Sequence, residues 1–118
     1  MCIMALALDT QPDFPVILVF NRDERFDRKT TDLAVHEDGC VYAMDEQAGG
    51  TWMAISPNGT IAALTNVRCA SPAAAQLESR GQLVKRILCG DDSAIFSRSF
   101  AAFNLLHGTL RLPGHPEG

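Results

Sequence analysis

Two apolar runs in close succession near the amino terminus restrict the fold of this 118-residue chain more than any other feature. Residues 2–8 (Cys-Ile-Met-Ala-Leu-Ala-Leu) carry no charged or amide side chain, and residues 15–20 (Pro-Val-Ile-Leu-Val-Phe) are rich in branched apolar ones. Short continuous runs of this kind, bounded by turn residues, read as buried strands. The link between them, with Asp9-Thr10-Gln11-Pro12-Asp13, is too short for a parallel crossover and therefore predicts an antiparallel hairpin. In such a hairpin the start of the first strand faces the end of the second. Cys2 is thereby expected beside Asn21-Arg22-Asp23-Glu24.

Further along, residues 25–39 are polar and weakly periodic, and read as a loop with one short strand. Residues 40–45 alternate as a strand, Gly49-Gly50 breaks the chain, and residues 51–55 resume it. Ser56-Pro57-Asn58-Gly59 is a turn signal, since Asn and Gly tolerate positive φ, and residues 60–66 form the returning strand. The period then changes. Ser79 and Gln82 have capping-box spacing, Leu83, Val84, Ile87 and Leu88 form a helical stripe, and Gly90 stands where a helix ends. Asp91-Asp92-Ser93 would cap a second, shorter helix reaching Phe100, and Phe103-Asn104-Leu105-Leu106 begins another strand. Residues 108–118 show neither periodicity nor an apolar face, so residues 1–107 are expected as the domain and 108–118 as an irregular tail. Strands followed by helices imply an α+β fold, an antiparallel sheet with helices on one side. Several strands are apolar on both faces and call for cover on both. The uncovered sheet predicts self-association.

A net charge of −4 and a pI near 5.2 offer no basic field for nucleic acid or an anionic surface. Arg22, Arg25, Arg28 and Lys29 cluster, but Asp23, Glu24 and Asp27 are interleaved with them, which reads as a solvated mixed-charge loop. The four cysteines, Cys2, Cys40, Cys69 and Cys89, form no C-x-x-C pair, so neither a zinc knuckle nor a thioredoxin motif is indicated, and no metal or cofactor is expected. Their dispersal suits a reducing, cytoplasmic setting. Residues 2–8 lack the basic flank and cleavage site of a signal peptide, and no stretch is long enough to span a bilayer.

A small residue at position 2 favours removal of the initiator methionine, which would give Cys2 the free α-amino group of the chain. One residue would then hold nucleophile and base. An α-amine titrates near ~8 and a thiol near ~8.5, so the neutral amine can take the thiol proton directly or through a water. The alternative is a small buried thiol with no chemistry.

Met1-Cys2-Ile3, Asn21-Arg22-Asp23-Glu24, Gly49-Gly50-Thr51-Trp52, Leu64-Thr65-Asn66-Val67-Arg68 and Ser79-Arg80-Gly81, in that order, resemble the signature of the NRDE-motif proteins, the transport and Golgi organisation protein 2 family. The resemblance reaches to about Leu106. It implies the αββα sandwich of N-terminal-nucleophile hydrolases, here one incomplete half, because the family's members are roughly twice this length. It also implies that the ending at residues 112–118 is truncated, alternatively spliced or frame-shifted. Through the same resemblance, which extends to choloylglycine hydrolases and penicillin V acylases, Cys2 would be the nucleophile and Asp23 would orient its α-amine. Arg22 would join the site, and Asn66 would donate to a developing oxyanion. Asn21 and Trp52 would contact the substrate, a small acylated amide or thioester.

Each residue has a simpler alternative. Asn21 and Asp23 could cap a turn, Arg22 could pair with Glu24 or Asp27, Asn66 could stabilise a strand exit and Trp52 could fill core. A second function for the same pocket is carriage of a lipid, acyl thioester or haem-like ligand without catalysis, with His36, His107, Cys2 and Tyr42 as conceivable haem ligands. A third is an inactive fragment that needs a partner to cover its sheet.

Overall fold

The structure, a computed structural model, describes residues 2–23, 26–66, 80–91 and 103–111. β1 (Ile3–Gln11) and β2 (Phe14–Asn21) form the expected antiparallel hairpin, in register from Ile3↔Asn21 to Leu8↔Val16. The register shifts between Leu8 and Gln11, where Asp9 adopts a φ of 54° to turn the chain. Because side chains alternate across a strand, Met4, Leu6, Leu8, Val16, Leu18 and Phe20 share one face. Ile3, Ala5, Val19 and Ile17 share the other. Ile3 and Val19 on that second face are 63% and 60% exposed.

A second antiparallel sheet runs in the order β3 (Ala34–Val35), β4 (Val41–Tyr42), β5 (Met53–Ile55), β6 (Thr60–Asn66) and β7 (Phe103–Thr109). β5 and β6 are joined by residues 56–59. Ser56 N–H donates to the Thr60 carbonyl, Gly59 N–H donates to the Ser56 carbonyl, and Gly59 takes a φ of 88°. Pro57 at the second turn position and Gly59 in the left-handed region suit this loop, and its closure sets the β5–β6 register at Ile55↔Ile61.

α1 (Arg80–Leu88) covers one face of this sheet. Its buried Leu83, Val84 and Ile87 pack on Ala54, Ala62 and Leu64, with Tyr42, Phe103 and Leu105 at the margin. Each of the three helix residues stabilises by roughly 1.5–3 kcal/mol relative to exposure. The helix stops as its sequence predicts. Gly90, at φ 88°, donates to the Ile87 carbonyl and Asp91 N–H donates to that of Arg86, the paired bonds of a Schellman ending. The capping residue Ser79 and the second helix expected to reach Phe100 lie outside the described residues.

Three strand boundaries differ from expectation, each because backbone groups are engaged elsewhere. The strand expected over residues 40–45 is confined to β4, since Asp45 forms an isolated bridge with Thr30 and its N–H donates to the Gly50 carbonyl. β5 begins at Met53, because Thr51 N–H donates across to the Gly81 carbonyl. β7 continues to Thr109, pairing Gly108 with Ile61 and Thr109 with Thr60, over residues that the sequence leaves to a tail.

The opposite face of the five-stranded sheet carries Val41, Met53, Ile55 and Ile61, and looks onto Val16 and Leu18 of β2 across a cleft of about 290 Å³. The layers are therefore helix, sheet and hairpin, an α+β arrangement that corresponds to part of an αββα sandwich. No helix of the described residues is long and apolar enough to cross a membrane.

Candidate functional site

The hairpin places Cys2 one residue before β1 and Arg22 one residue after β2. Extending the Ile3↔Asn21 pairing by one position sets Cys2 opposite Arg22. Opposed residues in an antiparallel pair have Cα atoms about 4.5–5.5 Å apart and side chains on the same side. Both positions continue the parity of Leu18 and Val16, which line the cleft, while Cys2 and Arg22 are not themselves among its lining residues. Cys2 is half-buried, and Asn21 is an exposed residue paired with Ile3. Asp23 is exposed, immediately after Arg22, and Glu24 lies outside the described residues.

Arg22 is held from two sides. Its guanidinium lies 4.4 Å over the centroid of the Trp52 ring, and its Nη2 is 3.8 Å from Oδ2 of Asp45. The Arg22 side chain is 18% exposed and that of Asp45 8%. Trp52 thus carries an arginine on its indole face, which the expectation of substrate contact did not include. It also fixes the end of the sandwich at which Cys2 sits. Trp52 precedes β5 and its carbonyl accepts from Leu64 N–H, so the Cys2 end of the hairpin lies over the end at which β6 runs out at Asn66.

Asn66 is exposed and pairs with Phe103. Its strand parity is that of Ala62 and Leu64, which face α1, whereas Thr65 shares the parity of Ile61 on the cleft side. The structure therefore brings Arg22 onto Trp52 and sets Cys2 across the hairpin from Arg22, while Asn66 lies at the end of β6.

The arginine cluster departs from the solvated loop that the sequence predicts. Arg28 donates through Nε to both carboxylate oxygens of Asp45, at 3.2 and 3.1 Å, and through Nη2 to Oδ2. Gln47 N–H adds a bond of 3.1 Å to Oδ1. Burial alone would raise the pKa of Asp45. The hydrogen bonds from Arg28 and Gln47, with the charges of Arg28 and Arg22, outweigh it and hold the carboxyl below the usual range. Sequence reasoning passed over Asp45. Its one signal is position, the first of two adjacent carboxylates, Asp45 and Glu46, closing an apolar run just before Gly49-Gly50.

The conceivable haem ligands are placed otherwise. His36 stacks on Tyr42 with ring centroids 3.7 Å apart, and Tyr42 packs on the helix side of the sheet. Cys2 precedes β1 on the hairpin, and His107 sits in β7 opposite Ala62. Among the described residues no group of three His, Cys, Asp or Glu side chains is arranged to hold a metal ion.

The family model described as Transport and Golgi organisation 2 matches residues 1–115 of the chain. The chain is similar to the Transport and Golgi organization protein 2 homolog of Homo sapiens, 34% identical over 127 residues, covering 93% of this chain and 46% of that protein. It is similar to the homolog of Bos taurus at 30% identity, over 95% of this chain and 44% of that one. With the Mus musculus homolog the identity is 33%, over 77% of this chain and 36% of the relative. The chain spans less than half the length of these relatives.

Proposed function

The chain belongs to the Transport and Golgi organisation 2 family, and on that premise we propose that Cys2 is the nucleophile of an N-terminal-nucleophile-type hydrolase or acyltransferase acting on a small amide or thioester. What supports the reading is the hairpin register, which, extended one position beyond Ile3↔Asn21, sets Cys2 opposite Arg22. Once Met1 is removed, the α-amine takes the thiol proton, the thiolate attacks the acyl carbonyl, and the ammonium returns the proton to the leaving group. Asp23 holds the α-amine and Trp52 borders the entrance; Asn66, on the helix-side parity of Leu64, and Asn21, paired with Ile3 on the exposed face of the hairpin, take no part in the step. The chemistry needs a free thiol, in keeping with a cytoplasmic setting.

The test is intact mass spectrometry of the purified protein before and after mixing with a medium-chain acyl thioester. The expected result is loss of Met1 and one acyl group on the Cys2 peptide, absent from Cys2→Ala. A retained Met1, or no adduct on a processed chain, would overturn the reading.

The cleft favours a second reading, carriage of an acyl or other lipid chain without turnover. Its walls at Val16, Leu18, Val41, Met53, Ile55 and Ile61 are apolar, which suits a hydrocarbon chain rather than a polar molecule. Stoichiometric retention of a fatty acyl ligand by Cys2→Ala, with no covalent adduct in wild type, selects this reading over the first.

A further inference from the structure

The geometry points to Asp45 as a positioning residue for Arg22. A guanidinium on a long, flexible side chain loses several rotatable degrees of freedom when held in one place, so partners must fix it. Here the partners are the indole face of Trp52, 4.4 Å away, and the carboxylate of Asp45 at 3.8 Å. The carboxylate is itself immobilised. Arg28 binds both its oxygens through Nε, and Gln47 N–H binds Oδ1.

The loop carrying Asp45 is in turn fastened to α1. Thr51 N–H donates to the Gly81 carbonyl at 3.3 Å, Gln82 Nε2 to the Ala48 carbonyl at 3.3 Å, and Lys85 Nζ to the Gly49 carbonyl at 2.7 Å. Gly49 N–H donates back to the Asp45 carbonyl at 2.7 Å. The helix that covers one face of the sheet thus fixes, through this loop, the arginine that stands opposite Cys2 on the other.

The assignment uses the placement of Arg22 beside Cys2 on which the acyl-transfer reading also draws, but the two fail separately. A Cys2 inert toward acyl donors overturns that reading and leaves the following ratio as it was. The rate of carboxymethylation of the Cys2 peptide by iodoacetate is divided by its rate with iodoacetamide, each normalised to glutathione. A cation held beside the thiol attracts the anionic reagent, so the ratio in wild type is expected to exceed that in Arg22→Ala by about three- to tenfold. Asp45→Asn, folded by circular dichroism, is expected to drop to the Arg22→Ala ratio, with no further loss in the double variant. A folded Asp45→Asn that keeps the wild-type ratio overturns the assignment, as does an Arg22→Ala that keeps it.

Should Asp45→Asn not fold, NMR of the wild-type protein decides. The Arg22 Nε–H resonance is expected to move with the same acid midpoint as the Asp45 carboxyl carbon. An Arg22 resonance indifferent to that titration overturns the assignment.

Discussion

A Cβ placed on Gly50 would stand 2.6 Å from the carbonyl carbon of Gly81, so the loop before β5 and the first turn of α1 touch backbone to backbone. The reverse substitution is nearly as crowded, with a Cβ on Gly81 lying 2.9 Å from Thr51 N. Neither neighbour is a side chain that can swing away. Gly50→Ala is therefore expected to destabilise by about 1–3 kcal/mol or more, because the helix must back away from the loop. Gly90→Ala serves as the contrast. Nothing lies within 4 Å of its Cβ, so its cost comes from the φ of 88° alone. Urea midpoints of the two variants check this, and an unaffected Gly50→Ala would show that the contact is not tight.

Asp45 makes stability depend on acid. Its folded pKa lies below the ordinary value near ~3.9, so its contribution is complete above that value and is lost as pH falls through the folded pKa. Asp45→Asn leaves Arg28 without its counter-charge, and at pH 7 should cost about 2–4 kcal/mol. Thermal midpoints of wild type and variant are expected to differ by a constant amount from pH 7 to about 5 and to converge below about 4. A gap that widens in acid would contradict the sign.

Trp52 is the single tryptophan of the chain, which makes it a private reporter on Arg22. Removing the guanidinium in Arg22→Ala uncovers the indole face. Its emission is expected to shift to longer wavelength while far-ultraviolet circular dichroism stays unchanged. Trp52→Ala loses both the ring's buried area and the cation–π contact, the latter worth about 0.5–2 kcal/mol.

The hairpin, the Ser56–Gly59 turn and the helix ending at Gly90 were legible because each is written in adjacent residues. That the Cys2 end of β1 meets the Asn21 end of β2 was legible for the same reason, needing only a register, although the sequence singled out Asp23 there rather than Arg22. Asp45 was not. Its link to Arg28 spans 17 residues and depends on a loop path that no periodicity encodes. The interleaved acids at Asp23, Glu24 and Asp27 made the arginines look already neutralised. Gly49-Gly50 and Ser79-Arg80-Gly81 stood out as short words, yet their meaning is steric. Gly50 and Gly81 are two halves of one packing joint, and a joint between distant segments is invisible until both are placed.

The described cysteines should separate by reactivity, and the order follows from burial. Cys89 is exposed beyond α1, Cys2 is half-buried before β1, and Cys40 is 6% exposed. Burial first, then the charge of Asp38 beside it, pushes the Cys40 thiol up, so the thiolate that reacts is scarce at neutral pH. Native labelling with iodoacetamide, followed peptide by peptide in a mass spectrometer, is expected to modify Cys89 first and Cys40 last, Cys40 at least about tenfold more slowly than Cys2. Adding urea should erase that difference, since it resides in the fold. Removing the Asp38 charge with Asp38→Asn should narrow it, because the carboxylate also accepts from Cys40 N–H at 2.9 Å and anchors the turn that buries the thiol. A Cys40 labelled as fast as Cys2 in the folded protein would mean that the end of β4 opens on the timescale of the reaction.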